Sequence, residues 1–218
     1  MERKTMSMRN EKHKRIGVMG GTFNPIHYGH LVTAEEALFQ FNLDTVIFMP
    51  SGKPPHKPER EILPAEERYL LTVIATASNP NFEVSRLEIE RKGPSYTIDT
   101  LLALHKQYPS DTELFFITGA DAVWEMLTWK DADKLVKLTE FIAATRPGYS
   151  LNKFKKLHVL PEDEELDESR PKVSVMEIPA LAISSTDIRN RVREGRPIHY
   201  LVPEGVANYI HKCRFWRD

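Results

Sequence analysis

The chain has 218 residues, 41% of them hydrophobic, which fits one domain with enough apolar material to fold unaided. Lysine plus arginine total 30 against 31 acids, a balance that argues against a nonspecific nucleic-acid binder and leaves room for a local basic pocket. The single cysteine, Cys213, excludes an intramolecular disulfide and a cysteine-rich metal site, and it suits a reducing cytoplasm. No apolar run approaches the roughly 20 residues of a membrane span.

Residues 1–14 are basic without an apolar centre, so they are not a secretory signal and are expected to be a disordered extension, with Met6 or Met8 as alternative starts. One domain is expected over 15–218. Ile16 to Met19 reads as a buried strand, punctuated by Gly20 and Gly21, and an apolar-periodic helix follows from near Pro25–Ile26 through Leu31, Ala34 and Leu38. Asp44 to Pro50 is a second buried strand. The loop from Ser51 to Pro64 is rich in proline and basic through Lys53, His56, Lys57 and Arg60. It is either a solvated surface loop or a flap that brings cations to phosphates, with Lys53 and His56 the best placed. A helix from Pro64 to Ala77 should turn Leu70, Leu71, Ile74 and Ala75 inward. The alternation over Phe82–Glu90 predicts one or two partly exposed strands.

Gly93-Pro94 breaks that pattern, and a helix to about Gln107 follows, capped by Ser95 or Thr97. Glu113 to Thr118 is the strongest central strand and ends at Gly119-Ala-Asp121. A short helix around Trp124–Leu127, a helix from Asp131 and a strand over Glu140–Thr145 come next, closed by Arg146-Pro-Gly148. The acidic stretch from Tyr149 to Pro171 reads as an excursion. Val173–Ile178 is the last strand, with helices from Ile183 and from Pro203 to Lys212. Strand and helix alternate throughout, which predicts an α/β fold with a doubly wound, mostly parallel sheet and ligands at the strands' carboxyl ends.

Two segments at those ends carry the chemistry. Strand, Gly-Gly turn and helix start is a geometry that points backbone N–H groups at an anion, and His27 and His30 share the first turn around Gly29. The plain alternative is an ordinary turn with structural histidines. Far downstream, Ser184-Ser185-Thr186 opens a helix as an N-cap, and Arg189 can return along the first turn to bind phosphate bidentately. There is no Gly-x-Ser-x-Gly elbow and no P-loop.

Gly21-Thr-Phe-Asn-Pro-Ile-His27-Tyr-Gly-His30 resembles the G-x-F-x-P-x-H-x-G-H motif of the nucleotidyltransferase superfamily, and Ile183-Ser-Ser-Thr-x-Ile-Arg189 resembles its second motif, in the same order. The stretches Gly93-Pro-Ser-Tyr-Thr97-Ile-Asp-Thr, Phe116-Ile-Thr-Gly119-Ala-Asp121, Thr128-Trp129-Lys130 and Arg146-Pro-Gly are similar to the bacterial nicotinate-nucleotide adenylyltransferases. The resemblance spans about 15–212. It implies a Rossmann-like nucleotidyltransferase fold, adenylyl transfer from ATP to nicotinate mononucleotide, Mg²⁺ carried by ATP rather than by protein side chains, and a homodimer in the cytoplasm.

For ATP it implies Gly20, Gly21, Thr22, Phe23, His27 and His30, then Ile183, Ser184, Ser185 and Arg189, with Gly119 and Asp121 on the adenosine side. For the mononucleotide it implies Tyr96, Thr97 and Trp129, the Trp face offering stacking worth about 0.5–1.5 kcal/mol. Lys53 and Arg146 would assist at phosphate. Rival readings are another member of the superfamily, acting on nicotinamide mononucleotide or a pantetheine phosphate, and a nucleotide-sensing module that has lost the chemistry.

Overall fold

The computed structural model describes residues 15–54, 62–120, 122–123, 129–145, 173–179 and 181–217. The expected extension, the short helix around Trp124–Leu127 and the acidic excursion lie outside these residues. Six strands form the sheet: β1 (Arg15–Gly21), β2 (Thr45–Pro50), β3 (Phe82–Val84), β4 (Glu113–Gly119), β5 (Glu140–Thr145) and β6 (Val173–Glu177). Their order is β3-β2-β1-β4-β5-β6 and every pair is parallel. All six positions of β2 are buried, as a parallel strand covered on both faces requires.

The period of two divides the core. Val46 and Phe48 face one side with Phe115 and Ile117, beneath α1 (Tyr28–Gln40), α2 (Ala65–Thr76), α6 (Ser185–Arg193) and α7 (Glu204–Lys212). Ile47 and Met49 face the other with Phe116 and Phe141, beneath α4 (Thr97–Gln107) and α5 (Ala132–Leu138). The chain reverses its winding between β1 and β4, so a crevice opens at their carboxyl ends. The α/β class, the parallel sheet and the strand–helix alternation expected from sequence are all present.

Three local expectations are corrected. The alternation over Phe82–Glu90 yields a strand of only three residues, followed by the single-turn helix α3 (Leu87–Glu90). Ser85 Oγ accepts the Leu87 N–H at 3.2 Å, and Glu88 turns inward to accept a hydrogen bond from Thr100 Oγ1 at 2.6 Å. A buried carboxylate thus takes a place that the apolar pattern had assigned to the polar side of a strand. Secondly, neither Ser95 nor Thr97 caps α4. Its N-cap is Tyr96, without a side-chain bond, and Ser95 Oγ instead accepts from the Gly52 and Lys53 amides.

Thirdly, on α2 Leu70 is exposed, and the inward face carries Arg68 with Leu71, Thr72, Ala75 and Thr76. Arg68 is 1% exposed. Its guanidinium donates to the carbonyls of Leu63 at 2.9 Å, Thr22 at 2.8 Å, Ser51 at 2.6 Å and Gly52 at 3.1 Å. Burial lowers its pKa to about 10, which leaves it charged at neutral pH. Arg68→Met keeps much of the stem and strands four carbonyls, each worth about 1–3 kcal/mol when left unmade. A loss of about 3 kcal/mol or more in urea-unfolding free energy is expected, and a loss below 1 kcal/mol would refute the role.

Candidate active site

The site is built from the turn after β1. Gly21 lacks a side chain for a reason of space, since a Cβ there would sit 2.7 Å from the Phe23 ring. Phe23 adopts the left-handed region at φ 47°, and its buried ring packs edge-on to His30 at 5.1 Å and against Phe48 at 5.9 Å. Its side chain therefore supports His30 from behind. His27 is the extended N-cap of α1, and its ring stacks on His30 with centroids 3.7 Å apart. The His27 N–H donates to His30 Nδ1 at 3.2 Å, so the neutral His30 ring carries its proton on Nε2.

His27 Nδ1 is buried and has no partner. Burial also lowers the His27 pKa from 6.5 to about 4, so the ring is neutral at physiological pH. Gly29 makes room for it, because a Cβ at that position would lie 2.9 Å from His27 Nδ1. The Tyr28 amide donates to the Leu201 carbonyl at 3.1 Å, so the chain itself uses one of the donors at this helix start.

The second motif is laced directly onto this turn. Ser184 caps α6 by accepting the Asp187 amide at 3.1 Å. Ser185 Oγ donates to the Pro25 carbonyl at 2.8 Å, and Arg189 Nη1 donates to the Asn24 carbonyl at 2.9 Å, with Nη2 reaching Thr186 Oγ1 at 3.3 Å. Arg189 thus braces the first motif's backbone in this form.

A cleft of about 470 Å³ opens over the switch point. Gly20, His27, His30, Gly119 and Ile183 from the expected set line it. Thr33, Thr118 and Thr145 also line it and were not singled out from the sequence. Thr118 lies one residue before the end of β4 and Thr145 ends β5, so the rule that ligands gather at strand carboxyl ends was the signal for them. Thr22 stands behind the cleft, its carbonyl held by Arg68.

The described residues expected on the mononucleotide side form a second cluster. Trp129 packs edge-on to Phe116 at 6.0 Å, and Lys130 Nζ stands 4.7 Å over the Tyr96 ring and 3.6 Å from Asp99. Thr97 begins α4 beside Tyr96, and Lys53 is tied to Ser95 through its own amide and carbonyl. The two clusters meet at Gly20, where a Cβ would lie 3.1 Å from Phe116 Cζ. Asp121 and Arg146 lie outside the described residues, as do His56, Lys57 and Arg60.

Among the described residues no three His, Cys, Asp or Glu side chains converge. The cleft's imidazole, hydroxyl and backbone groups suit phosphate oxygens. No helix of the described residues is long and apolar enough to cross a membrane.

Residues 18–191 match the cytidylyltransferase-like family. The chain is 54% identical to a protein of Moorella thermoacetica described as a probable nicotinate-nucleotide adenylyltransferase, over 93% of this chain and 92% of that protein. A relative from a Thermoanaerobacter species with the same description is 54% identical, over 95% and 96%. The chain belongs to the nicotinate-nucleotide adenylyltransferase family. The fold is also that of the Plasmodium falciparum nicotinic acid mononucleotide adenylyltransferase complexed with NaAD, at a TM-score of 0.72 and 20% identity, covering 94% of this chain and 98% of that one. Of the motif residues quoted for this family, both histidines lie on the cleft.

Burial of His27 makes stability depend on pH. Unfolded, this histidine protonates near 6.5; folded, near 4, so the unfolded chain binds more protons between those values. Stability is therefore lost as pH falls from 6.5 toward 4, by about 3 kcal/mol from this group. His27→Asn should remove that component in urea titrations run from pH 7.5 to 4.5. Parallel losses in the variant and the wild type would show that His27 does not set the slope.

Proposed function

We propose that this chain transfers the adenylyl group of ATP to nicotinate mononucleotide, releasing pyrophosphate and forming deamido-NAD, a cytoplasmic step of NAD synthesis. The observation that carries the reading is the stacked His27–His30 pair on a cleft at the switch point, in a chain 54% identical to relatives described by that activity. An oxygen of the mononucleotide phosphate attacks the α-phosphorus, the bond to the β-phosphate breaks, and pyrophosphate carries away the electron pair. The attacking group is already an anion, its second pKa being about 6, so no protein nucleophile or general base is required.

The protein supplies alignment and hydrogen-bond donors. His27 enters as a neutral ring and donates an N–H to a phosphate oxygen; the anion then raises its pKa and favours the charged form. His30 donates from Nε2–H. Arg189 and Lys53 add cationic charge on the phosphates, with Arg146 a further phosphate contact. Gly20, Gly21, Thr22 and Phe23 with Ile183, Ser184 and Ser185 shape the triphosphate cradle, and Gly119 and Asp121 the adenosine side. A Mg²⁺ carried by ATP neutralises charge on the triphosphate when bound. Trp129, Tyr96 and Thr97 receive the pyridine ring and its carboxylate, which the α4 N-terminus favours over a neutral amide. A homodimer is the expected assembly.

The reading is tested by pyrophosphate release with Mg-ATP against nicotinate mononucleotide, nicotinamide mononucleotide and a pantetheine phosphate. Turnover should be fastest with the acid. Preference for either other acceptor would reassign the chain within its superfamily, and nucleotide binding without release would make it a sensing module. His27→Ala should lower kcat by about 10²-fold. Trp129→Ala should mainly raise KM for the mononucleotide, and a change confined to ATP would misplace the ring pocket.

A further inference from the structure

Tyr96 and Trp129 come from segments far apart in sequence, yet both lie half-buried against the same core, the one that holds Phe116 and Phe141. Among the described residues Trp129 meets one aromatic ring, that of Phe116, and no ring contact joins it to Tyr96. The residue that spans the gap is Lys130. Its Nζ stands 4.7 Å over the Tyr96 ring, within reach of a cation–π contact, and 3.6 Å from Asp99 Oδ2. Both partners belong to the start of α4, where Tyr96 is the N-cap and Asp99 lies in the first turn.

The chain around Lys130 is arranged for that reach. Asp131 follows it in the left-handed region at φ 55° as the N-cap of α5, and Lys134 Nζ donates to Asp131 Oδ1 at 3.0 Å. At the far end of the same pair of helices, His105 Nε2 donates to the Leu138 carbonyl at 2.7 Å. Helices α4 and α5 are thus tied at both ends, and Lys130 is the tie beside Trp129. Asp99 gives the ammonium a direction, holding over the Tyr96 ring a side chain that is 48% exposed. Each contact is weak alone because both lie half in solvent. Together they can bias where the indole rests without carrying the fold.

We propose that Lys130 is a positioning residue for the acceptor: by clasping Tyr96 and Asp99 it fixes the Trp129 indole relative to the start of α4. The kinetic consequence rests on the adenylyl-transfer reading, whereas the clasp itself does not. Arginine in its place would keep both contacts, since a guanidinium stacks on an aromatic face and pairs with a carboxylate. Methionine would keep the stem and lose the charge.

The full chain, labelled with ¹⁵N at tryptophan, reports the clasp through the Trp129 indole N–H resonance, assigned by its loss in Trp129→Phe. Steady-state kinetics report what the clasp is for. In Lys130→Met the resonance should move or broaden, and KM for nicotinate mononucleotide should rise about fivefold, as two half-exposed contacts allow. Over the same comparison kcat and KM for ATP should stay within about twofold. Lys130→Arg should restore both readouts. Asp99→Asn should raise the acceptor KM about twofold, and adding it to Lys130→Met should change nothing further, since the carboxylate acts through the ammonium. An unmoved resonance in Lys130→Met overturns the proposal, with or without a kinetic effect. So does a moved resonance with an unchanged acceptor KM, and so does an equal rise in KM for ATP, which a general loosening would produce. A wild-type chain that releases no pyrophosphate sinks the adenylyl-transfer reading and the acceptor role with it, leaving the resonance to judge the clasp. Normal wild-type turnover with an unaffected Lys130→Met sinks this proposal alone.

Discussion

The Arg68 guanidinium is the constraint on which the site depends. Parallel strands must leave the sheet abruptly at their carboxyl ends, and the loops that leave it turn carbonyls into the protein, away from water. Thr22 after β1, Ser51 and Gly52 after β2, and Leu63 before α2 all present such carbonyls to one point. Only arginine offers five donors in a rigid fork, and only its charge survives this degree of burial. Its lowered pKa measures the desolvation, which the charge of Glu88 partly offsets. Asn24 completes the arrangement by accepting the Leu63 amide at 3.1 Å. The first loop leads to His27 and the second to Lys53, so a single buried cation sets the spacing of two segments with no direct sequence relation.

The motifs are joined to each other by backbone rather than by chemistry. Ser185 and Arg189 bond to the Pro25 and Asn24 carbonyls, the two residues that steer the chain toward His27. In the structure a motif residue holds a turn, a duty additional to the phosphate contact proposed for it. Holding the turn constrains the spacing within each motif. A one-residue insertion between Asn24 and His27 would leave the lacing intact and carry the histidine off the cleft. The fold also carries a cost at this point. His27 is neutral, buried and lacks a partner on Nδ1, a state that burial alone does not reward. Such a group persists because the stacking on His30, the absent side chain at Gly29 and the cap position of α1 together leave the ring no other place.

The sheet was legible because parallel strands buried on both faces are continuous apolar runs, and β2, β4 and β5 fall within a residue or two of the runs that announce them. The histidine turn was legible because glycine spacing and helix periodicity meet there. What escaped was polar and buried. Arg68 was absent from the inward positions read on α2, because periodicity counts apolar positions and gives an inward arginine no weight. Leu70 was drawn inward for the converse reason, although it lies off the face that meets the sheet. Glu88 disguised a single helical turn as a strand, since alternation cannot tell a carboxylate facing solvent from one facing Thr100. Ser95 was expected to cap the helix it precedes, and it caps a loop distant in sequence. The polar errors have one form: a side chain whose hydrogen bonds run to a distant segment cannot be read from its neighbours.

Gly20 shows how closely the two halves of the site are matched. It lines the cleft that holds His27, and its missing Cβ is the space occupied by the edge of Phe116. Phe116 supports Trp129 edge-on, so the histidine cleft and the tryptophan cluster share a wall one residue thick. A side chain at Gly20 would push Phe116 by a few tenths of an ångström toward the indole. The disturbance would reach Trp129 before it reached His27, whose ring is fixed from the opposite side by His30 and Phe23. Glycine near the end of β1 therefore serves the tryptophan cluster as much as the histidine cleft. That accounts for a glycine at Gly20, where the backbone has no positive φ to require one.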